Sequence, residues 1–434
     1  MNQSDERSRR DVLKSLGYAG LSVALFPRLG RGRPSAANAM RITGPAVPAL
    51  AEFDTAMCDF MQARSIPGGS LALTHKERLV LARGYGAGEQ DLTVKSTSLF
   101  RIASVSKPLT ATAMLRLVQD EQTTLSTRVS DILEGQAPGP GTGDPYREEM
   151  TVQHLLQHLG GWDRGKTFDP MFRDFEIAKA QGVALPIQKQ DIMDSMKGQP
   201  LQHRPGQTYA YSNYGYLLLG RVIEAITGRP YEDYVRATVL APLGIVRPRL
   251  ARTLPEHRYP NEVTYHSSNS GKTVFDASGR QVPAPYGAWN IENMDAHGGW
   301  LASAVDLVRF AASFDGLDAS SVLSPAAIKK MFQLPGNRPA DVYQRGDAYY
   351  GCGWSVRDWG NGRRNTWHGG SLPGAHTLLV RRWRDSLNWC VLFNQREDPS
   401  GLSYSDIDPL LHKAADSVKA WPTHDLFREF LALE

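Results

Sequence analysis

A single Ser-x-x-Lys sequence, Ser104-Val105-Ser106-Lys107, lies where a polar stretch of the chain gives way to a strongly apolar helical run. Residues three apart on a helix share one face, a turn from each other, so Lys107 Nζ can reach Ser104 Oγ. A serine hydroxyl is a weak nucleophile at neutral pH and acts only with a base or cation beside it. At a helix start Ser104 also meets unpaired backbone N–H groups and the positive end of the dipole, which favour developing negative charge. The same four residues fit a capping serine followed by a solvated lysine. The pattern alone does not separate these readings.

Two further short patterns follow in chain order. Tyr211-Ser212-Asn213 precedes a helical segment. A phenol ordinarily has a pKa of about 10, but beside ammonium groups it is pushed toward phenolate and can take the serine's proton. Asn213 offers an amide to hold Lys107 or a substrate carbonyl. The cluster Tyr209, Tyr211, Tyr214 and Tyr216 equally suits a tyrosine-rich helix cap. His368-Gly369-Gly370-Ser371 stands ahead of a strand pattern. Paired glycines at a strand edge let a substrate backbone approach, and the N–H groups after them can face an oxyanion. His368 can donate to a substrate carboxylate or carbonyl; the alternative is a glycine turn with an incidental histidine.

Other signals are weaker. His154 and His158 are four apart on a predicted helix, as paired zinc ligands are, but the catalytic glutamate of His-Glu-x-x-His is missing and no metal is expected. Gly84-Tyr85-Gly86-Ala87-Gly88 does not complete a nucleotide-binding Gly-x-Gly-x-x-Gly, and no cofactor is implied. No Gly-x-Ser-x-Gly occurs, so Ser104 is not the nucleophile of an α/β-hydrolase elbow. His297, His376 and the aromatics Trp162, Phe168, Tyr286, Trp289 and Trp300 are candidates to wall a cleft, or simply core packing.

The elements that must position these residues are legible in outline. Residues 47–65 read as an amphipathic helix, and 69–73 and 78–84 as short strands joined by Thr74-His75-Lys76-Glu77. The run 104–120 is apolar on nearly all sides, which predicts a buried helix, with Pro108 tolerated in its first turn. A Gly/Pro-rich loop covers 135–145. Thr151 caps a helix over 152–158, and another spans 214–226, ending at Gly228 with Pro230 beyond. Residues 250–290 are irregular. Strand patterns return at 350–357, 375–382 and 388–395, before a last helix near 408–420. The expectation is an α+β fold: an antiparallel sheet flanked by helices and built from both ends of the chain, with a mainly helical region inserted. Its sheet-containing part takes 40–107 and 296–434, and the helical part with its cleft-wall loops takes 108–295.

Hydrophobic residues make up 41% and charged residues 22% of the chain, as in soluble globular proteins. The formal charge of +4 comes from the N-terminal 39 residues, which hold seven basic and three acidic side chains; the remainder balances at 42 of each. No nucleic-acid partner is indicated. Ser8-Arg9-Arg10-Asp11-Val12-Leu13-Lys14, a modest apolar segment over 15–26, and Ala37-Asn38-Ala39 resemble a twin-arginine export signal, too short to span a bilayer. The expected location is periplasmic or secreted, with no membrane span after cleavage near Met40. Cys58, Cys352 and Cys390 form no Cys-x-x-Cys and read as free thiols.

Taken together, Ser-x-x-Lys, Tyr-x-Asn and His-Gly-Gly stand in the order and approximate spacing of one superfamily. From about residue 45 to 400 the chain resembles the serine β-lactamase and penicillin-binding-protein group, in particular the class C-like serine hydrolases with esterase, D-peptidase and amidase members. His154 to Trp162, Gly298 to Ser303 and Ala241 to Gly244 fit the same group. The resemblance implies Ser104 as the acylated nucleophile, Lys107 and Tyr211 sharing proton transfer, and Asn213 positioning substrate and lysine. It also implies an oxyanion hole from the N–H groups of Ser104 and Ser371. His368 stands where many relatives have the lysine of Lys-Thr-Gly. A histidine is only partly charged near neutral pH, which shifts the expectation from β-lactams toward an ester, an amide or a D-amino-acid peptide. β-Lactamase or D,D-carboxypeptidase activity is the alternative, and a protein that acylates without turnover a second one. No Glu-x-x-x-Asn occurs, so the class A deacylation route is absent.

Overall fold

The computed structural model describes residues 40–431 except 87–92, 134–143, 145, 317–321, 337–343, 345 and 398–400. The expected export signal, nearly all of the Gly/Pro-rich loop and the end of the Gly84–Gly88 run lie outside the described residues.

Eight strands form the main sheet: β1 Arg41–Thr43, β2 Gly68–His75, β3 Arg78–Gly86, β4 Ala348–Tyr350, β5 Ser355–Asp358, β6 Arg364–Leu372, β7 Ala375–Arg382 and β8 Leu387–Phe393. Their spatial order is β1-β3-β2-β8-β7-β6-β5-β4, every neighbour antiparallel. The seam between the two chain ends is β2 against β8, with Leu71 opposite Val391. The fold is thus the expected α+β arrangement. The β2–β3 hairpin turns on Lys76 and Glu77, both at positive φ (50° and 64°). Two such residues make the twist-matched two-residue turn that Asn-Gly more often supplies.

Five helices matter for the site: α1 Ala51–Ala63, α2 Ser106–Gln119, α3 Asn213–Thr227, α4 Ala304–Ala312 and α5 Ile407–Ser417. The sheet is buried on both faces, and its period of two sorts side chains accordingly. On β8, Trp389, Val391 and Phe393 join Phe53, Phe60, Ile407 and Leu411 under α1 and α5. Cys390 and Leu392 point the other way, into the larger core that includes α2, α3 and α4. α2 is buried over most of its length, as its all-round apolar pattern predicts.

Some elements differ from expectation. The run 350–357 is not one strand but the hairpin β4–β5, because Gly353 takes φ 79° and turns the chain. A Cβ at Gly353 would lie 2.6 Å from Ala111 Cβ and 3.1 Å from the Lys107 carbonyl oxygen, so this turn packs directly on α2. The helix after Thr151 stops at Leu156, and His158 has φ 57°. The two histidines therefore share no helix face. His154 Nδ1 instead accepts from Thr151 N, closing a capping box. Cys58 is half-buried, Cys352 and Cys390 are buried, and all three are free. No helix among the described residues is long and apolar enough to cross a membrane.

Candidate active site

Ser104 sits on a 3-10 turn, Ala103–Val105, that runs straight into α2. The approach to it is locked from two sides. Ile102 N donates to Trp300 O (2.9 Å), and Thr377 Oγ1 of β7 donates to Ile102 O (2.9 Å). Ala103 then takes φ 48°, left-handed backbone that costs a non-glycine residue about 1–2 kcal/mol. Arg101, two residues upstream, is buried. It donates to the carbonyls of Arg252, Thr253 and Pro285 and lies over the Tyr265 ring, 4.4 Å from its centroid. These contacts fasten the irregular 250–290 segment to the strand that delivers Ser104. Tyr286 and Trp289 stand beside this clamp, whereas Trp300 is fully buried with its indole N–H on Tyr231 and so walls no cleft through its ring.

Across the 3-10-to-α junction, Lys107 Nζ lies 3.1 Å from Ser104 Oγ, 2.9 Å from Asn213 Oδ1 and 2.9 Å from His297 O. The lysine is fully buried, and burial, reinforced by the positive charge of Arg164, pulls its pKa well below the usual range. A neutral amine fits all three contacts. Two N–H bonds serve the Asn213 and His297 oxygens, which can only accept, and the lone pair faces the serine hydroxyl. Asn213 is oriented in turn: its Nδ2 donates to Asp169 Oδ2 at 2.6 Å, which leaves Oδ1 for the lysine. One of the two amide N–H groups is thereby engaged with Asp169, and the second remains for a substrate carbonyl.

Tyr211 OH donates to Ser104 Oγ at 2.9 Å. Ser212 caps α3, accepting from Gly215 N, so the tyrosine is held at the mouth of a buried helix. His158 fixes this corner: its Nδ1 accepts from Ser212 N, and its ring lies 4.2 Å from that of Tyr211, centroid to centroid. Burial pushes the Tyr211 phenol up to about 12, so the phenolate that the sequence suggested is disfavoured. Of the two groups on the serine, the lysine, with its lowered pKa, is the better suited to accept a proton.

The third pattern forms the opposite wall. β5 pairs with β6 only as far as Trp367, and from His368 onward that edge of β6 lies against Ala103–Val105. Gly370 is required there, since a Cβ would come within 2.2 Å of Thr377 Oγ1 and 2.4 Å of Ile102 O. A Cβ at Gly369 would meet only Thr377 O, at an ordinary 3.8 Å. His368 corrects an expectation. Its Nδ1 is 2.7 Å from Gly369 O, a group that only accepts, so Nδ1 carries the proton and Nε2 accepts from Tyr350 OH at 2.9 Å. Both ring nitrogens are taken inside the protein, and burial pushes the pKa down to about 3. The histidine therefore offers a substrate neither a charge nor an N–H.

All three patterns thus meet around one hydroxyl. Sequence reasoning missed the Asp169 carboxylate behind Asn213, Arg164 over the Tyr211 ring (4.8 Å to the centroid), and the His297 carbonyl. Of the aromatic candidates, Trp162 and Phe168 do line a pocket beside Asn213. His376 lies away from the site, its ring 5.0 Å from that of Tyr404, centroid to centroid. Among the described residues no group of three or more His, Cys, Asp or Glu is placed to hold a metal ion.

This arrangement has relatives. The profile of the Beta-lactamase family matches residues 53–407, and the chain belongs to that family of serine hydrolases. Penicillin-binding protein 4 of Amycolatopsis lactamdurans is 29% identical over 326 residues, covering 72% of this chain and 77% of its own. Two solved structures share the fold. The octameric penicillin-binding protein homologue from Pyrococcus abyssi has a TM-score of 0.62 at 24% identity, over 88% of this chain and 80% of its own. The D-amino acid amidase from Ochrobactrum anthropi has 0.63 at 24%, over 86% and 99%.

Proposed function

We propose that this serine hydrolase cleaves an ester or amide bond through an acyl-enzyme on Ser104, with D-amino-acid peptides and amides among its candidate substrates. The observation that carries the reading is the serine hydroxyl held between a buried lysine amine at 3.1 Å and a phenol at 2.9 Å. Lys107 takes the Ser104 proton as Oγ bonds to the substrate carbonyl carbon. The C=O electrons move onto oxygen, which faces the N–H groups of Ser104 and Ser371. As the tetrahedral intermediate collapses, the Tyr211 hydroxyl gives its proton to the leaving alcohol or amine and regains one from the protonated Lys107, so the base returns to its neutral form. Water then repeats the sequence on the ester, giving the acid and regenerating the serine.

Penicillin-binding protein relatives bring a second reading, acylation by β-lactams or a D,D-carboxypeptidase reaction. The uncharged, internally bonded His368 argues against a lysine-like anchor for the β-lactam carboxylate. The twin-arginine-like leader supports export to the periplasm or beyond. A fluorophosphonate probe tests the core reading: wild type is labelled at one site and Ser104→Ala is not, with both proteins folded by circular dichroism. Labelling retained in the variant overturns it. A panel of p-nitrophenyl esters, D-alanyl amides and nitrocefin then ranks the substrates, and stoichiometric labelling without turnover of any would mark a binding or sensing protein.

A further inference from the structure

Arg164 lies in the irregular segment between the helix at Val152–Leu156 and Asp169, and none of the three motifs includes it. Its guanidinium is over the outer face of the Tyr211 ring, whose hydroxyl touches Ser104. The side chain is 47% exposed. It borders a small pocket of about 80 Å³ whose apolar lining includes Trp162, Phe168, Met196 and Tyr214, with Asn213 and Asp169 beside them.

The charges around this pocket are uneven. Burial keeps His158, His297 and His368 uncharged and lowers Lys107. A guanidinium is a permanent cation with five donors in a planar fork matched to carboxylates. Asp169 engages one of them, Nη1, through Oδ2 at 3.3 Å; the same oxygen already accepts from Asn213 at the shorter 2.6 Å, and Oδ1 accepts from Met171 N. The nearby Asp163 is turned to His203, 3.2 Å away. Nε and Nη2 of Arg164 make no hydrogen bond among the described residues. A partly exposed cation thus stands one aromatic ring from the nucleophile, on the helical side of the cleft, while the strand side offers none at His368. The pocket it borders is a recess, suited to the part of a substrate that stays bound while water attacks.

We propose that Arg164 is a specificity-determining residue, selecting substrates whose acyl portion carries a carboxylate. The inference rests on the acyl-enzyme reading above. Two esters of equal acyl length test it, mono-p-nitrophenyl succinate and p-nitrophenyl butyrate, which differ by one terminal carboxylate. The readout is the ratio of their kcat/KM values, because any effect of a substitution on Lys107 acts on both esters and cancels. In wild type at low salt the ratio exceeds one; Arg164→Gln lowers it by about tenfold, the scale of one hydrogen bond to a charged group, and Arg164→Lys restores part of it. A wild-type preference for butyrate, or a ratio that Arg164→Gln leaves unchanged, overturns the proposal. Fluorophosphonate labelling of the same preparations separates the two claims. Absence of label on wild-type Ser104 defeats the acyl-enzyme reading, whereas a labelled enzyme with an indifferent ratio defeats only the role of Arg164.

Discussion

The helical and strand walls around Ser104 are built from different material. On the helical side, Lys107, Tyr211, Asn213 and Asp169 form a connected run of side-chain hydrogen bonds ending at Arg164. On the strand side, His368 is neutral and turned inward onto Tyr350, and beside it stands backbone with two glycines. In the proposed reaction, side chains move protons and carry charge on one wall, while fixed backbone dipoles serve the reacting oxygen on the other. The first kind of wall fails when one group changes chemistry. The second fails when a strand shifts by a few tenths of an ångström.

The sharpest way to break this contrast is at the lysine. Lys107→Ala removes the base and leaves the Asn213 and His297 oxygens without their partner, so kcat/KM on an activated ester falls by about a thousandfold. Lys107→Arg does not rescue, because a guanidinium stays protonated and cannot accept the serine's proton. Steady-state kinetics on p-nitrophenyl acetate decides. Activity within tenfold of wild type in either variant would move the base elsewhere.

The strand wall yields to geometry instead. Gly370→Ala changes no chemistry, but its methyl group meets Thr377 Oγ1 and Ile102 O. Overpacking of this kind destabilises by about 1–3 kcal/mol, and relief by moving Ile102 also moves Ser104, two residues on. A displacement of an ångström at a reacting group costs about a hundredfold in rate. The variant should therefore show a lowered melting temperature together with a kcat drop of that order, whereas Gly369→Ala, whose methyl meets only Thr377 O at an ordinary 3.8 Å, keeps its melting temperature. Equal thermal shifts in the two variants would contradict the assignment of the close approach to Gly370.

This contrast also explains what could be read from the chain before folding. The Ser104–Lys107 pair was legible because three residues along a helix is a fixed distance, and Tyr211–Asn213 because a cap and helix start stood beside it. Both sheet ends were legible from alternation. Asp169 and Arg164 were not, because they reach the site from a segment with no periodicity, where sequence distance says nothing about spatial distance. The misreading of His368 has a related cause. Its partner Tyr350 lies on a strand that the apolar pattern joined to the next one, since Cys352 and Trp354 continue it through the turn that Gly351 and Gly353 make. The phenolate expected at Tyr211 failed on burial, a quantity the motif does not carry.

The smallest expected effect tests the quiet side of the comparison. A histidine whose pKa is pushed down to about 3 has no titration near neutrality, so the acid limb of kcat/KM belongs to Lys107. Activity needs the unprotonated amine, so kcat/KM rises with pH through the lowered lysine pKa and then stays level until the region of Tyr211, about 12. His368→Gln should leave that limb in place and change kcat/KM by no more than a few-fold. Stability answers differently. The unfolded chain binds a proton at this ring below about pH 6.5, while the folded protein resists it down to about 3. Stability from this group is therefore full above 6.5 and is lost progressively as pH falls. His368→Gln lacks that loss, so the gap in melting temperature between wild type and variant should narrow from pH 7 to pH 4. If the acid limb of activity vanished instead, the ring would be charged in the working enzyme and the strand wall would be no less electrostatic than the helical one.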